Sequence, residues 1–216
     1  MSRIVLHDYY RSSASYRVRI ALGLKGLEYE RREVNLAKGA QQDPSFQAVN
    51  PQGFVPALEI DGLTLTQSLS IAVYLDQTRP EPPLVPRDPA DGAHVRSLAL
   101  SIACDIHPLN NLRVLNYLKG PLGLAEAAKD EWYRHWVAQG LTALEAMASP
   151  RAGAFLFGDR PTLADICLVP QLYNARRFSV PLADFPTLRR ADETASAHPA
   201  FAAAHPDRIA QKDLVQ

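Results

Sequence analysis

The first third of the chain alternates between strand-like and helix-like patterns of hydrophobic and polar positions. A short apolar run covers residues 4–9, and residues 13–25 carry apolar side chains at helical spacing. Residues 29–34 then favour a second strand. Because strands that alternate with helices usually pair in parallel, this order predicts an α/β sheet.

A β-hairpin and a further helix are predicted next. Asp61 and Gly62 separate two short apolar segments, residues 54–60 and residues 63–66. An Asp-Gly pair between two such segments is a strong hairpin signal. Residues 67–79 then return to helical periodicity. The hairpin would add two antiparallel strands to the sheet.

A proline-rich connector marks the predicted domain boundary. Residues 80–86 contain four prolines, which make a stiff, extended segment. The pattern before it is mixed and the pattern after it is helical. The sequence therefore predicts a small α/β domain over residues 1–83 and an all-helical domain over residues 89–216.

The second domain is predicted to consist of helices alone. Residues 90–118 form one long helix or a broken pair of helices, and residues 124–148 form another. The sequence Thr-Leu-Ala-Asp at residues 162–165 has the form of a capping box. It opens a short apolar helix that we expect to run through Leu168.

Composition and charge exclude several classes of protein. Lys and Arg total 23, as do Asp and Glu, so the net charge is +0 and no nucleic-acid partner is indicated. No apolar run reaches the roughly 18–20 residues that a bilayer requires, and the N-terminus does not resemble a secretion signal. Cys104 and Cys167 are the only cysteines, which fits a reducing compartment and argues against structural zinc. We expect a cytoplasmic enzyme or binding protein with no membrane partner and no metal.

Three features resemble the cytosolic glutathione transferases over essentially the whole chain. Val55-Pro56 resembles the cis-proline bend of that family, and Gln67-Ser68 resembles the pair that opens the helix after the sheet. The segment at residues 162–165 resembles the family's C-terminal capping box. The resemblance implies an α/β thioredoxin-like N-terminal domain plus an all-α C-terminal domain, in a homodimer.

A longer signature resembles the zeta class of this family. Residues 11–22, RSSASYRVRIAL, are similar to its serine-type motif, and residues 104–113 and 174–178 are similar to segments of bacterial isomerases of the class. The motif usually has cysteine where this chain has Ala14. The implied chemistry therefore requires no cysteine at that position. The class implies glutathione as the cofactor.

The two serines of this motif are the first candidates for chemistry. Glutathione reacts as a thiolate, and a thiol with a pKa of about 8.5 is only a few per cent ionised at neutral pH. A hydroxyl donor and a helix N-terminus can both stabilise the thiolate, and Ser12 and Ser13 offer both at a strand-to-helix turn. Spacing alone favours simple N-capping by one of them. The resemblance instead favours Ser12 at the sulfur, with Ser13 able to exchange roles with it.

The resemblance also assigns residues to the rest of the tripeptide. The backbone of Val55, before a cis Pro56, would pair with the cysteinyl part, although a trans proline at the start of a strand is the alternative. Ser68 would bind the γ-glutamyl carboxylate at a helix N-terminus, or act as a plain N-cap. Gln42, or equally Gln41, would reach the glycyl end. The full set implied for glutathione is Ser12, Ser13, Ala14, Gln42, Val55, Pro56, Gln67, Ser68, His107, Asn111 and Arg113.

Three of those residues belong to the predicted second domain. His107 and Asn111 are four positions apart, so we expect them on one face of a long helix, with Arg113 to the side. A single histidine on a helix is more often structural or solvated. The resemblance implies that these side chains contact glutathione or the substrate.

The candidate ligands for a small dicarboxylate substrate are Arg11, Arg113 and Arg176, because the guanidinium fork binds carboxylates with two hydrogen bonds. Arg177 is the alternative to Arg176, and ordinary surface charge is the alternative for all of them. Together with the serines, the implied catalytic set is Ser12, Ser13, Arg11, Arg113 and Arg176.

The reaction implied by the resemblance is cis–trans isomerisation of a maleyl double bond by reversible addition of glutathione. Maleylacetoacetate, an intermediate of tyrosine and phenylalanine breakdown, is the first candidate substrate, and maleylpyruvate is the second. A general glutathione transferase or peroxidase is a third interpretation, against which the arginines argue. A non-catalytic binding or scaffold protein is a fourth, against which the intact serine motif argues.

Overall fold

The computed structural model describes residues 3–213 and contains two compact units. The first unit comprises residues up to 84 together with those from 198 onward, and the second comprises residues 85–197. The chain thus leaves the first unit at the proline-rich connector and returns to it near its end. This differs from the expected helical domain of residues 89–216, which included the returning segment.

The first unit is built on a four-stranded sheet. Its strands are β1 (Val5–Asp8), β2 (Glu30–Glu33), β3 (Ala57–Ile60) and β4 (Leu63–Thr66), in the order β2-β1-β3-β4. Strand β1 is parallel to β2 and antiparallel to β3, which is antiparallel to β4. Helix α1 (Ser13–Leu24) connects the parallel pair. The predicted α/β, thioredoxin-like sheet is confirmed.

Two local predictions in this unit are also confirmed. Asp61 and Gly62 both have positive φ, 53° and 78°, as a tight hairpin turn between β3 and β4 requires. The Val55–Pro56 peptide bond is cis. Two further helices, α2 (Pro44–Val49) and α3 (Ser68–Thr78), complete this part of the unit.

The second unit is helical. Its α-helices are α4 (Pro89–Leu100), α5 (Leu112–Lys119), α6 (Glu126–Ala148), α7 (Leu163–Arg177) and α8 (Pro186–Ala197). The capping box before α7 is confirmed, since Thr162 and Asp165 cap each other reciprocally. Helix α7 continues well beyond the expected end at Leu168, because its central turns are buried on every side.

The segment predicted as one helix or a broken pair is broken. Helix α4 gives way to a π-helical segment at Ser101–Ile106 and a 3-10 turn at His107–Asn110 before α5 begins. Pro108 lacks an N–H and its ring disfavours a regular helix through this point. Asn111 has extended backbone angles, and its side chain accepts a hydrogen bond from the N–H of Arg113 at 3.1 Å. Asn111 therefore starts a new helix.

Helices α9 (Pro199–Ala204) and α10 (Pro206–Asp213) return the chain to the first unit. The buried Arg19 of α1 donates to the carbonyl of Ala204 at 3.0 Å and to the carboxylate of Asp8 at 2.6 Å. A Cβ on Gly23 would lie 3.2 Å from the Cβ of Ala200, so α9 packs closely on α1. One guanidinium thus joins β1, α1 and α9. None of the helices within residues 3–213 has both the length and the apolar character needed to cross a membrane.

Candidate active site

Ser12 lies at the N-terminus of α1. Its Oγ accepts a hydrogen bond from the N–H of Ser15 at 3.2 Å, so Ser12 is the N-cap, as the simpler interpretation proposed. This contact uses a lone pair and leaves the hydroxyl hydrogen available for donation. Ser13 is the first helical residue and is buried, whereas Ser12 is only half-buried. Of the two hydroxyls, that of Ser12 is the more accessible.

The surroundings of this helix end favour an anion. The first turn of α1 contains no acidic residue, so no carboxylate offsets the positive end of the helix dipole. Arg11, which immediately precedes the cap, is exposed, and its guanidinium lies 5.1 Å from the ring centroid of Tyr10. Ala14 is the second helical residue and adds no charge. The N-terminus of α1 can therefore stabilise a negatively charged sulfur.

The cis bond holds a backbone segment beside the start of β3. Val55 is buried and packs with Tyr9, Val34 and Phe46. No hydrogen bond joins its N–H or its C=O to any part of the chain that the structure describes. Because buried backbone groups are nearly always paired, these two groups are suited to bind the backbone of a peptide ligand.

Sequence reasoning did not assign a role to Asn50, which fixes this loop. Its side-chain amide donates to the carbonyl of Phe54 at 2.7 Å, and its side-chain oxygen accepts from the N–H of Gln52 at 3.1 Å. Asn50 is itself buried. The pair Asn50-Pro51 is a turn signal in the sequence, but the cross-loop contacts depend on the folded loop.

The N-terminus of α3 is a second candidate element for binding an anion. Gln67 occupies the N-cap position, and Ser68 is the first helical residue, so the alternative that Ser68 is a plain N-cap is wrong. No side chain caps α3, and its first turn contains no acidic residue. Its leading N–H groups can therefore donate hydrogen bonds to an anionic ligand.

Gln67 is held in an uncommon conformation. Its φ is 66°, in the left-handed region that costs a non-glycine residue about 1 kcal/mol or more. Its side-chain amide donates to the side-chain oxygen of Gln52 at 2.9 Å. The strained residue directs the chain into α3 immediately after β4.

The two glutamines proposed for the glycyl end lie in a 3-10 turn, Ala40–Gln42. Gln42 is exposed, and its side-chain oxygen accepts weakly from Gln47 at 3.4 Å. The side-chain oxygen of Gln41 is buried and has no hydrogen-bond partner. A Cβ on Gly53 would lie 3.0 Å from the Gln41 carbonyl, so this turn contacts the loop before Val55.

In the second unit, the predicted common helix face of His107 and Asn111 is wrong. His107 opens the 3-10 turn, whereas Asn111 caps α5, so the two residues belong to different elements. Arg113 is exposed on the first turn of α5. Sequence reasoning did not single out the neighbouring Asn110, which is buried with no hydrogen-bond partner for its side-chain amide.

The two adjacent arginines at the end of α7 have different environments. Arg176 forms an ion pair with the buried carboxylate of Asp192 on α8. Arg177 donates to the side chain of Asn174 at 3.2 Å and lies 5.9 Å from the ring centroids of Tyr173 and Phe178. Arg176 thus has a carboxylate partner within the protein, whereas these three contacts of Arg177 are with neutral side chains.

The described residues contain no group of three or more His, Cys, Asp or Glu side chains arranged to hold a metal ion. The candidate binding features of the first unit are instead the two helix N-termini and the backbone of Val55. Such features suit an anionic peptide better than a cation.

Comparison with known proteins identifies the family. The profile of the glutathione S-transferase N-terminal domain matches residues 6–83, and that of the C-terminal domain matches residues 126–205. Maleylacetoacetate isomerase of Rhizobium meliloti is 51% identical over 94% of this chain and 96% of its own length. Maleylpyruvate isomerase of Ralstonia sp is 43% identical over 93% of this chain and 96% of its own length.

Solved structures agree with this relationship. A holo structure of maleylpyruvate isomerase, a bacterial zeta-class enzyme, has a TM-score of 0.92 at 43% identity, covering 94% of this chain and 97% of that one. Maleylacetoacetate isomerase from Methylobacterium extorquens, with bound malonate and glutathione, has a TM-score of 0.91 at 43% identity and the same coverage. This chain therefore belongs to the glutathione S-transferase family, in its zeta class.

Proposed function

We propose that the protein is a glutathione-dependent isomerase that converts maleylacetoacetate to fumarylacetoacetate. The observation that carries the proposal is the buried backbone of Val55, whose N–H and C=O are unpaired beside a cis bond to Pro56. This segment and the uncapped N-terminus of α3 both belong to the first unit, and together they suit a peptide that ends in a carboxylate. Relatives with bound glutathione, in one of them in the active site, support the same cofactor.

The first unit supplies the contacts to glutathione. The backbone of Val55 binds the cysteinyl part, and Ser68 with the first N–H groups of α3 binds the γ-glutamyl carboxylate. Ser12 donates its hydroxyl hydrogen to the sulfur, and the α1 dipole favours the thiolate. Gln42, with Gln41 as its alternative, takes the glycyl end. Within the proposed set, Ser13, Ala14, Pro56 and Gln67 shape the two helix N-termini and the bend. The set also includes His107, Asn111 and Arg113, which belong to the second unit.

When bound, glutathione supplies a thiolate that adds to the cis double bond and leaves again after rotation about the resulting single bond, so it is not consumed. The protein's part is to keep the sulfur ionised and to stabilise the negative charge that develops on the substrate. Arginines suit the second task because they bind carboxylates in a fixed geometry and are always charged. Bound malonate in one relative and bound dicarboxyethyl glutathione in another support a small dicarboxylate as the substrate class.

The environments of the arginines change one assignment. Because Arg176 pairs with Asp192, we assign the carboxylate contact at this end of α7 to Arg177. Arg11 and Arg113 remain the other two candidates, since both are exposed. Arg176 then supports the junction of α7 with α8 rather than the substrate.

A direct assay tests the proposed function. Purified protein should isomerise maleylacetoacetate only when glutathione is present. We expect its kcat/KM to exceed that for maleylpyruvate, because relatives at 48–51% identity are named for the former and one at 43% for the latter. The reverse ratio would favour the maleylpyruvate reaction. Binding of S-methylglutathione with no turnover of either substrate would indicate a non-catalytic protein.

We also propose that the protein is a cytoplasmic homodimer. Both cysteines of the described chain are free thiols, which fits a reducing compartment. Large apolar side chains are exposed on both units, including Phe54 and Leu63 on the first and Leu100 and Met147 on the second. A second copy of the chain is the occupant that would cover them.

A further inference from the structure

A buried arginine lies directly behind the N-terminus of α3. Arg17 of α1 is only 2% exposed, and its Nη1 lies 3.4 Å from the Oγ of Ser68, which is 6% exposed. The two helices pack against each other within the first unit. A full positive charge therefore lies inside the protein, one hydroxyl away from the proposed anion site.

This contact constrains the hydroxyl of Ser68. A guanidinium can only donate hydrogen bonds, so its approach occupies a lone pair of Oγ. The hydroxyl hydrogen must then point away from Arg17. Within residues 3–213 no acceptor takes this hydrogen, so it is available to a ligand.

The charge of Arg17 also adds to the field of the helix. The guanidinium cannot lose its proton in a protein, so its charge is permanent. It lies on the same side of Ser68 as the body of α1, while the α3 dipole contributes partial positive charge at the helix end. Both the guanidinium and the helix end favour an anion at Ser68.

We infer that Arg17 is a positioning residue for the γ-glutamyl carboxylate of glutathione. It orients the Ser68 hydroxyl as a donor and places a fixed positive charge behind it, without touching the ligand. This inference rests on the proposed function, which assigns that carboxylate to Ser68. It predicts that Arg17 affects the recognition of one carboxylate and leaves the rest of the tripeptide site intact.

The test compares two ligands that differ only in that carboxylate. The first is S-methylglutathione, and the second is its analogue with 4-aminobutyrate in place of the γ-glutamyl residue. In Arg17→Met, we expect S-methylglutathione to bind about 10- to 100-fold more weakly, because the Ser68 hydroxyl is no longer held as a donor to the carboxylate. The analogue should bind as it does to the wild type, and this retained binding also shows that the variant is folded.

A double-mutant cycle tests whether Arg17 acts on ligand binding through Ser68. Ser68→Ala should reproduce the selective loss, and adding Arg17→Met to it should weaken binding little further, because both changes remove the same interaction. Ser70→Ala, an exposed serine on the same helix, is the matched control and should change neither affinity. With glutathione as cofactor, KM should rise in Arg17→Met while kcat at saturating glutathione stays within a few-fold.

Several outcomes would overturn the inference. Equal weakening of both ligands would make Arg17 purely structural, and no weakening of either would remove it from recognition. If Arg17→Met does not fold, Arg17→Lys keeps the charge and should give a smaller loss confined to S-methylglutathione. If the wild type binds both ligands equally, the carboxylate is not recognised, although the thiol chemistry stands. If it binds neither, the proposed function itself fails.

Discussion

At the scale of single residues, the hydroxyl of Ser12 can serve two purposes without conflict. Its oxygen accepts from the N–H of Ser15, which completes the cap of α1. The same contact leaves the hydroxyl hydrogen free, and the proposed function gives that hydrogen to the sulfur of glutathione. Capping thus helps to orient the donor.

Replacing Ser12 by alanine should lower the catalytic rate much more than it lowers the stability of the fold. We expect kcat to fall about 100- to 1000-fold, because a donor to the developing anion is lost. The free energy of unfolding should fall by only about 1 kcal/mol, the usual cost of losing an N-cap. Steady-state kinetics and urea unfolding measure the two effects. If activity stays within a few-fold of the wild type, Ser13→Ala becomes the variant to test.

The two arginines at the end of α7 should respond differently to substitution by methionine. Arg177→Met should lower kcat/KM by about 30- to 3000-fold through loss of a substrate carboxylate contact, with little change in glutathione affinity. Arg176→Met should instead lower the free energy of unfolding by about 1–3 kcal/mol, because it removes a partner of the buried Asp192. A selective loss of substrate in Arg176→Met would return the carboxylate contact to that residue.

At the scale of elements, the capping box of α7 includes a carboxyl group with an unusual pKa. Burial raises the pKa of Asp165 to about 6, although it accepts hydrogen bonds from the N–H groups of Leu156 and Thr162. The folded protein therefore holds this proton more tightly than the unfolded chain, where the pKa is near 3.8. The contribution of Asp165 to stability falls as pH rises between about 4 and 6, and is constant above that range.

This pH dependence can be isolated with Asp165→Asn, which keeps the shape but does not titrate. The stability difference between wild type and variant should be largest near pH 4 and should shrink by up to about 3 kcal/mol by pH 7. Other titrating groups cancel in the difference. Chemical unfolding of both proteins across this range is the measurement, and a difference that grows with pH would contradict the assigned direction.

The contact between α6 and the π-helical segment gives a second prediction for elements. Gly140 lies on α6, and a Cβ there would overlap the side chain of Ile106. Alanine normally stabilises a helix relative to glycine, but here Gly140→Ala should lower the free energy of unfolding by about 1–3 kcal/mol. Combining it with Ile106→Ala should relieve the overlap, so the alanine at 140 should then cost less. Thermal unfolding of the single and double variants measures this coupling.

Elements with local signals could be predicted from the sequence, and those that depend on distant contacts could not. The hairpin at Asp61 and Gly62 and the cap at Thr162 are encoded within a few residues. For residues 90–118 the sequence allowed either one long helix or a broken pair of helices. Pro108 did not decide between them, because a proline is also tolerated in the first turn of a helix. Arg176 and Arg177 look alike in sequence, and their environments depend on Asp192, a residue of another helix.

At the scale of the whole molecule, features that depend on contacts between distant segments were also not predicted from the sequence. The proline-rich connector was visible, but the return of residues 198–213 depends on packing against α1, which no local pattern reports. The glutathione contacts were proposed from motifs that lie in short segments of the first unit. The contribution of the second unit was harder to assign, because His107 and Asn111 do not share an element.

Association of two chains is the prediction at this scale. Light scattering at micromolar concentration should give twice the chain mass of 23.8 kDa. Leu63→Lys places a charge on an exposed apolar position of β4 and should favour the monomer if that strand is covered by a second copy. Glu33→Lys, on the exposed part of β2 at the other edge of the sheet, is the control. A monomer mass for the wild type would refute the proposed dimer.

The contact of α9 with α1 has a consequence for biosynthesis. Arg19 and Gly23 emerge early from the ribosome, while the Ala204 carbonyl and Ala200 that pack on them emerge only after the entire second unit has been translated. At roughly 5–20 residues per second, this delay is on the order of ten seconds. During that interval the nascent first unit exposes a groove along α1 and a guanidinium that lacks its final acceptor. Completion of the first unit thus has to wait for translation of the second unit, and chaperones have time to act on α1 before α9 arrives.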